Sequence, residues 1–453
     1  MLQSRNPYSA ELIEAHQSLN EKDMSDAIEK ARTAFADWSR EPLSKRAECL
    51  QSVARELREA KDKLARLMAL EMGKPVREGG PEVEKSAWCA EYFAEHAEAF
   101  LADEVLASDA ARSYVTYEPL GTVLGILPWN APLWLAFRFL APALMAGNTC
   151  VMKHDPNVPA CAQAIADVFR KAGLPEGVMI NLPIETSLVE QAIRHPAIAA
   201  VSFTGSAAAG AKVAAVAGSE IKPAVLELGG SDPCIIMADA DLDKAADVAT
   251  LSRIINAGQS CIAAKRILVE ATVYERMLDK LHERLARLQM GDPLDADTQI
   301  GPIAREDLRD VLHRQVKSTI ESGARCLLGG ELPEGDGYAY PVTLLADVTP
   351  DMCAFREETF GPVMAVTSVA DFEEALSLAN DTEYGLGAAI WTEDQGRIDR
   401  AVRELVAGQV AVNGIVKTDP RLPSGGVRRS GYGRELGPHG IREFVNAKQV
   451  WIR

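Results

Sequence analysis

From Thr122 to Asn413 short apolar runs alternate with segments of helical spacing, and this alternation restricts the fold more than any other feature of the chain. The spacing predicts strands at Thr122–Leu127, Thr149–Met152, Gly177–Asn181, Ile198–Thr204 and Ala224–Leu228. Helices are expected between them, at Leu133–Met145, Pro159–Ala172, Leu188–Arg194 and Ala207–Ala217. Strands that are apolar throughout belong to parallel sheets covered on both faces. A second series of alternating elements starts at Cys234–Met237 and the helix Leu242–Ile255. The expected fold class is therefore α/β, with two open doubly wound domains meeting near Gly229–Gly230.

The first hundred residues carry apolar positions three and four apart, which predicts helices at Ser25–Trp38, Leu43–Met72 and Glu82–Leu101. Two stretches fall outside both series. Arg112–Glu118 alternates like an edge strand, and Glu443–Ile452 closes the chain; exposed strands invite pairing with a second chain, so a homo-oligomer is expected.

Composition narrows the function classes. Lys and Arg number 48 against 65 Asp and Glu, a net charge of −17, which repels nucleic-acid backbones and anionic lipid. No nucleic-acid or membrane partner is expected. The eight cysteines form no C-x-x-C pair, and the N-terminus lacks a basic-then-apolar signal, so the expected setting is the cytoplasm. Between Pro119 and Met152 the only charged side chain is Arg138, but Pro128, Asn130, Pro132, Pro142 and Asn148 divide that stretch into pieces of core length.

Two motif-like segments lack the chemistry they evoke. Gly205–Lys212 places its Lys one position too late for a P-loop, and Gly431–Gly437 has no strand-to-helix crossover after it. The seven His residues show no metal-ligand spacing.

Three segments carry reactive groups in apolar surroundings. They are Leu127-Pro-Trp-Asn-Ala-Pro132, Leu226-Glu-Leu-Gly-Gly230 and Asn256-Ala-Gly-Gln-Ser-Cys261. The resemblance of these segments to the aldehyde dehydrogenase superfamily implies their chemistry: a thiolate attacks an aldehyde, preorganised N–H donors hold the resulting alkoxide, and a carboxylate activates water to hydrolyse a thioester. Cys261, Asn130 with the Cys261 backbone N–H, and Glu227 are the candidates for these roles. Apolar neighbours should lift Glu227 toward neutrality, where a general base works best.

Together these segments resemble the aldehyde dehydrogenase superfamily over nearly the whole chain. Phe203-Thr-Gly-Ser206, Glu357-Glu358-Thr-Phe360-Gly-Pro362 and Asn380-Asp-Thr-Glu-Tyr-Gly-Leu386 add to the likeness, in the family's order. The resemblance implies a cofactor site of Trp129, Lys153, Gly205, Ser206, Leu228, Glu358 and Phe360. It implies a cofactor domain at 1–107 and 121–226, a catalytic domain at 227–438, and oligomerisation strands at 108–120 and 439–453. A homodimer or homotetramer is the implied assembly. The cofactor is NAD or NADP; Pro156 stands where many NAD-preferring members carry Glu, although Asp155 offers a carboxylate nearby, and NAD is the favoured expectation.

Within the family the chain resembles short bacterial succinate-semialdehyde dehydrogenases. Arg138, eight positions after Asn130, matches a residue that binds the substrate carboxylate in that group. A second arginine common there is replaced by Ile255, so Arg421 and, more distantly, Arg253 are the candidates for that role, and Ser424 is expected to widen the tunnel mouth. The implied reaction is oxidation of a carboxylated aldehyde such as succinate semialdehyde to the acid; the alternative is a general aliphatic or aromatic aldehyde oxidiser.

Overall fold

A computed structural model describes residues 1–335 and 337–453. Its first sheet has six strands in the order Gly431–Tyr432, Ala224–Glu227, Ile198–Thr204, Thr122–Leu127, Thr149–His154 and Met179–Asn181. The last five are mutually parallel, and only Gly431–Tyr432 runs antiparallel, along Ala224–Glu227. Chain order reverses on either side of Thr122–Leu127, so a crevice opens beyond the carboxyl ends of the strands. Pro128–Asn130, Gly205–Ser206 and Leu228 follow three of those ends, and Lys153 is the penultimate residue of a fourth strand.

The second sheet has seven strands, ordered Arg325–Leu328, Thr343–Ala346, Val363–Val369, Arg266–Glu270, Pro233–Ile236, Gly387–Trp391 and Gln409–Val412. All are parallel except the edge strand Arg325–Leu328. The chain crosses from the first sheet to the second over Leu228–Asp232. It then returns: Gly431–Tyr432 joins the first sheet, and Leu436, Ile441 and Phe444 are buried in the same core as the Pro132–Met145 helix. Gly431–Tyr432 and Leu436, which fall inside the catalytic stretch expected at 227–438, thus lie with the first sheet and its core.

A three-stranded sheet stands apart, with Arg112–Pro119 between Glu104–Val105 and Val445–Ile452, all antiparallel. The two stretches expected to seek a second chain thus pair with each other, leaving Val445–Ile452 as an edge on which Trp451 and Ile452 are exposed.

Among the helices, Leu43–Met72 is two elements, Leu43–Glu59 and Lys61–Met72, broken at Ala60 where ψ is 5°. The apolar stripe continues across the break, so spacing alone cannot reveal it. The Leu2–Arg5 and Leu12–His16 hairpin has no clear alternation and was not anticipated. The Pro132–Met145 helix is buried along its full length, as the core reading of that apolar stretch requires. Among the described residues no helix is long and apolar enough to cross a membrane.

Candidate active site

Between the two sheets lies a cavity of about 630 Å³ whose wall includes Asn130, Trp134, Arg138, Asn256, Cys261 and Thr418. It contains the expected thiol and the expected amide in one space.

The thiol sits on a strained loop. The Leu242–Ile254 helix ends in a turn where Asn256 (φ 56°) and Ala257 (φ 52°) both occupy the left-handed region, followed by Gly258 at φ 73°. Two consecutive non-glycine residues in that region cost of order 1–3 kcal/mol each and persist only where surroundings enforce them. Here the Asn256 backbone N–H donates to Glu78 Oε2 at 2.7 Å, and Asn256 Nδ2 donates to the Asn130 carbonyl at 2.7 Å. Asn130 in turn donates from Nδ2 to the Gln259 carbonyl at 3.1 Å. That uses one of its two amide hydrogens, so the loop carrying Cys261 and the turn carrying Asn130 are fixed to each other.

Burial pushes the Cys261 thiol up to about 11, against the pull of Lys265 and Arg138. Lys265 is fully buried; its Nζ donates to the Cys261 carbonyl at 2.5 Å and pairs with Glu358 Oε1 at 3.0 Å. Lys265 therefore links the nucleophile loop to the expected ribose-binding carboxylate.

Glu227 ends its strand with a side chain only 6% exposed, and burial pushes it up to about 7. Its Oε2 accepts from Arg138 Nη2 at 2.9 Å, while Oε1 has no partner among the described residues. Arg138 Nε lies 2.5 Å from Glu435 Oε2, and Nη2 reaches Ser424 Oγ at 3.3 Å. An arginine buried in an apolar helix must be matched by negative charge; two protein carboxylates supply it to Arg138, which also lines the cavity. Ser424, expected at the tunnel mouth, is buried beside this guanidinium instead.

Arg421 stands apart from the cavity. Its guanidinium pairs with both oxygens of Asp419 and stacks 5.3 Å from the Trp88 ring, and it is absent from the cavity wall. Arg253 faces the carbonyls of Gly258, Thr359 and Gly361, tying the nucleophile loop to the segment that carries Glu358 and Phe360.

The expected cofactor residues gather at the crevice. Ser206 caps the 13-residue Ala207–Ser219 helix by accepting from the Ala209 N–H, just after Gly205 at the strand end. Lys153 is 5% exposed and has no ion-pair or hydrogen-bond partner among the described residues. Trp129 meets Phe360 edge-on, with ring centroids 5.9 Å apart, and Leu228 is buried against Gly210. Glu358 Oε1 accepts from the Gly230 N–H at 3.2 Å, and a Cβ at Gly229 would collide with the Glu358 carboxylate. An unpartnered buried lysine, a helix N-terminus and a reachable carboxylate suit a dinucleotide. Asp155 turns its carboxylate to the Asn157 N–H at 2.9 Å, completing its own turn.

The model of the aldehyde dehydrogenase family matches residues 1–450. The chain belongs to the aldehyde dehydrogenase family. It is 46% identical over 451 residues to succinate-semialdehyde dehydrogenase [NADP(+)] 1 of Mycobacterium ulcerans, covering 99% of this chain and 98% of that protein. The succinic semialdehyde dehydrogenase of Streptococcus pyogenes, solved with NADP+, superposes with a TM-score of 0.97 at 34% identity and full coverage of both chains. The lactaldehyde dehydrogenase of Escherichia coli superposes equally well, at 0.97 and 34% identity, covering 99% of this chain and 95% of that one. As an aldehyde dehydrogenase the protein is an NAD(P)-dependent oxidoreductase, and the favouring of NAD finds no support, since these succinate-semialdehyde relatives carry NADP in their descriptions.

Sequence reasoning missed Glu435, Lys265, Glu78 and Lys85. Their roles come from partners distant in the chain, Glu435 with Arg138, Lys265 with Glu358, Glu78 with Asn256 and Lys85 with Thr418.

Proposed function

We propose that the protein oxidises succinate semialdehyde, or a similar carboxylated aldehyde, to the acid, with NADP as the preferred acceptor. The observation that carries the chemistry is the joint presence of Cys261 and Asn130 in one cavity, with Glu227 held behind it by Arg138.

Cys261 is the nucleophile. Its proton passes to water, its sulfur bonds to the aldehyde carbon, and the carbonyl oxygen becomes an alkoxide. The second hydrogen of Asn130 Nδ2 and the Cys261 backbone N–H hold that charge. A bound nicotinamide supplies the acceptor for the two electrons and the hydrogen that leave this carbon. The thioester left on Cys261 is hydrolysed by water, whose proton passes to the free Oε1 of Glu227. Attack expels the thiolate and yields the carboxylic acid. Arg138 keeps Glu227 from bonding elsewhere and, with Glu435, sets its basicity.

Trp129, Lys153, Gly205 and Ser206 would hold the adenosine ribose and phosphates, and Glu358 the nicotinamide ribose, with Phe360 nearby. Lys153 without an acidic partner, Pro156 and the self-occupied Asp155 favour a 2′-phosphate. The succinate-semialdehyde relatives support the substrate. A broader aldehyde range is the second reading, favoured by the matched charge of Arg138. The open Val445–Ile452 edge supports assembly into a dimer or tetramer.

Initial rates of NADPH and NADH formation test the reading with succinate semialdehyde, glutarate semialdehyde, butanal and benzaldehyde. At least a tenfold preference in kcat/KM for the carboxylated aldehydes is expected, corresponding to about 1.4 kcal/mol. Equal rates across the panel overturn the substrate, and turnover surviving in Cys261→Ala overturns the mechanism.

A further inference from the structure

Five cations line the cavity, and four are unsuited to hold a substrate anion. Lys74 is buried in an ion pair with Glu82, whose other oxygen accepts from the Leu133 and Trp134 backbone N–H groups. Arg138 is shared by Glu227 and Glu435. Arg77 and Lys417 are exposed, where water screens their charge.

The fifth is Lys85, on the Val76–Phe100 helix, half-buried and with no carboxylate in ion-pair range among the described residues. Its Nζ sits 4.1 Å from the centroid of the Trp134 ring and donates to Thr418 Oγ1 at 2.9 Å. The indole Nε1 of Trp134 donates to the same oxygen at 3.0 Å. Thr418 is 6% exposed and lines the cavity. A hydroxyl oxygen has two lone pairs, so with two donors upon it only its own hydrogen remains to be given. Among the described residues no protein acceptor takes that hydrogen.

We infer that Lys85 and Thr418 form the pocket for the substrate's distal carboxylate, with Trp134 as its floor. This deepens the proposed function and rests on that reading. The ammonium and the free hydroxyl hydrogen are two convergent donors, which is what a carboxylate accepts. The position also fits the reacting end. Trp134 lies in the first turn of the helix that starts two residues after Asn130, and Asn130, Lys85 and Thr418 line the same cavity. The aromatic floor and the half-buried setting shield the pair from solvent, so the contact is stronger than a surface ion pair.

The test compares Lys85→Met, Lys85→Arg and Thr418→Val with the unmodified enzyme on succinate semialdehyde and butanal. Lys85→Met is expected to lower kcat/KM on succinate semialdehyde about 10- to 100-fold, chiefly through KM, in line with one lost charge-assisted hydrogen bond. That loss should exceed any loss on butanal at least tenfold. Thr418→Val should act in the same direction, about 3- to 10-fold, and Lys85→Arg should recover part of the preference. The pH dependence gives an independent readout. Burial pushes Lys85 down to about 8, as does Arg138, while Glu82, Cys89 and Asp419 oppose the shift. The succinate semialdehyde to butanal ratio should therefore fall as pH rises past about 8, whereas a guanidinium anchor would hold it level; taking the ratio cancels the titration of Glu227 and Cys261. A Lys85→Met enzyme that keeps its preference, or that loses both substrates alike, overturns the anchor and leaves the proposed function standing. An unmodified enzyme with no preference for the carboxylated aldehyde overturns both.

Discussion

Arg138 holds Glu227 and Glu435 at once, through Nη2 at 2.9 Å and Nε at 2.5 Å, with none of the three side chains more than 6% exposed. One guanidinium thus sets the basicity and the position of the general base.

Removing that guanidinium should harm every substrate equally. Arg138→Met leaves two buried carboxylates facing each other without a cation, and breaking a buried pair costs about 3–5 kcal/mol. Urea or thermal unfolding at neutral pH should show this loss. The pull that lowers Glu227 goes too, so the pH–rate limb should move to higher pH. A variant that lost only succinate semialdehyde turnover would show that Arg138 serves the substrate instead.

Glu227, held near pH 7, must be ionised to take a proton from water. Hydrolysis of the thioester should therefore climb with pH through about 7 and level off above it. At pH 6 the ionised fraction is about one-tenth, so deacylation should run about tenfold below its plateau. Glu227→Gln should release one equivalent of NADPH per site in a burst and then stall. Stopped-flow absorbance separates the burst from the steady state; a linear trace from the start would place the base elsewhere.

With its thiol pushed up to about 11, Cys261 should react sluggishly in the cofactor-free enzyme. Iodoacetamide labelling of its peptide, followed by mass spectrometry, should accelerate close to tenfold per pH unit between about pH 7 and 10. Lys265→Met removes the largest opposing influence and should slow labelling further. The exposed Cys326 serves as the internal reference.

The strained turn before Cys261 depends on Glu78. Glu78→Ala leaves the Asn256 N–H without its acceptor, a loss of about 1–3 kcal/mol for a buried donor. Turnover on all aldehydes should drop about tenfold, while Glu78→Gln, which keeps an acceptor oxygen, should recover most of it. Steady-state kcat on butanal reads both variants.

The parts of this site that could be read from the sequence are those fixed by local geometry. Trp129, Asn130, Gly205, Ser206, Glu227 and Leu228 sit at or just past strand ends, and strand ends follow from the alternation of apolar runs. Arg138 is legible as a charge needing a partner and, by resemblance, as a carboxylate binder. Which partner it takes depends on how strands and loops far apart in the chain close upon one helix, as with Glu227, 89 positions away. Lys85 was hidden for the same reason: on a helix with apolar residues at i and i+4 it looks like a solvated position, and only the approach of Trp134 and Thr418 makes it otherwise. The break at Ala60 leaves no mark because both helices bury the same stripe.

The return of the chain to its first sheet at Gly431–Tyr432 joins the two halves at two places rather than one. A single crossing would act as a swivel, free to turn as well as to bend. Two separated crossings leave a door on two hinges, which can breathe along one axis but cannot rotate. Glu227 at one crossing and Glu435 beside the other therefore keep their spacing to Arg138 while cofactor and product come and go, and the base is ready for each turnover without being rebuilt.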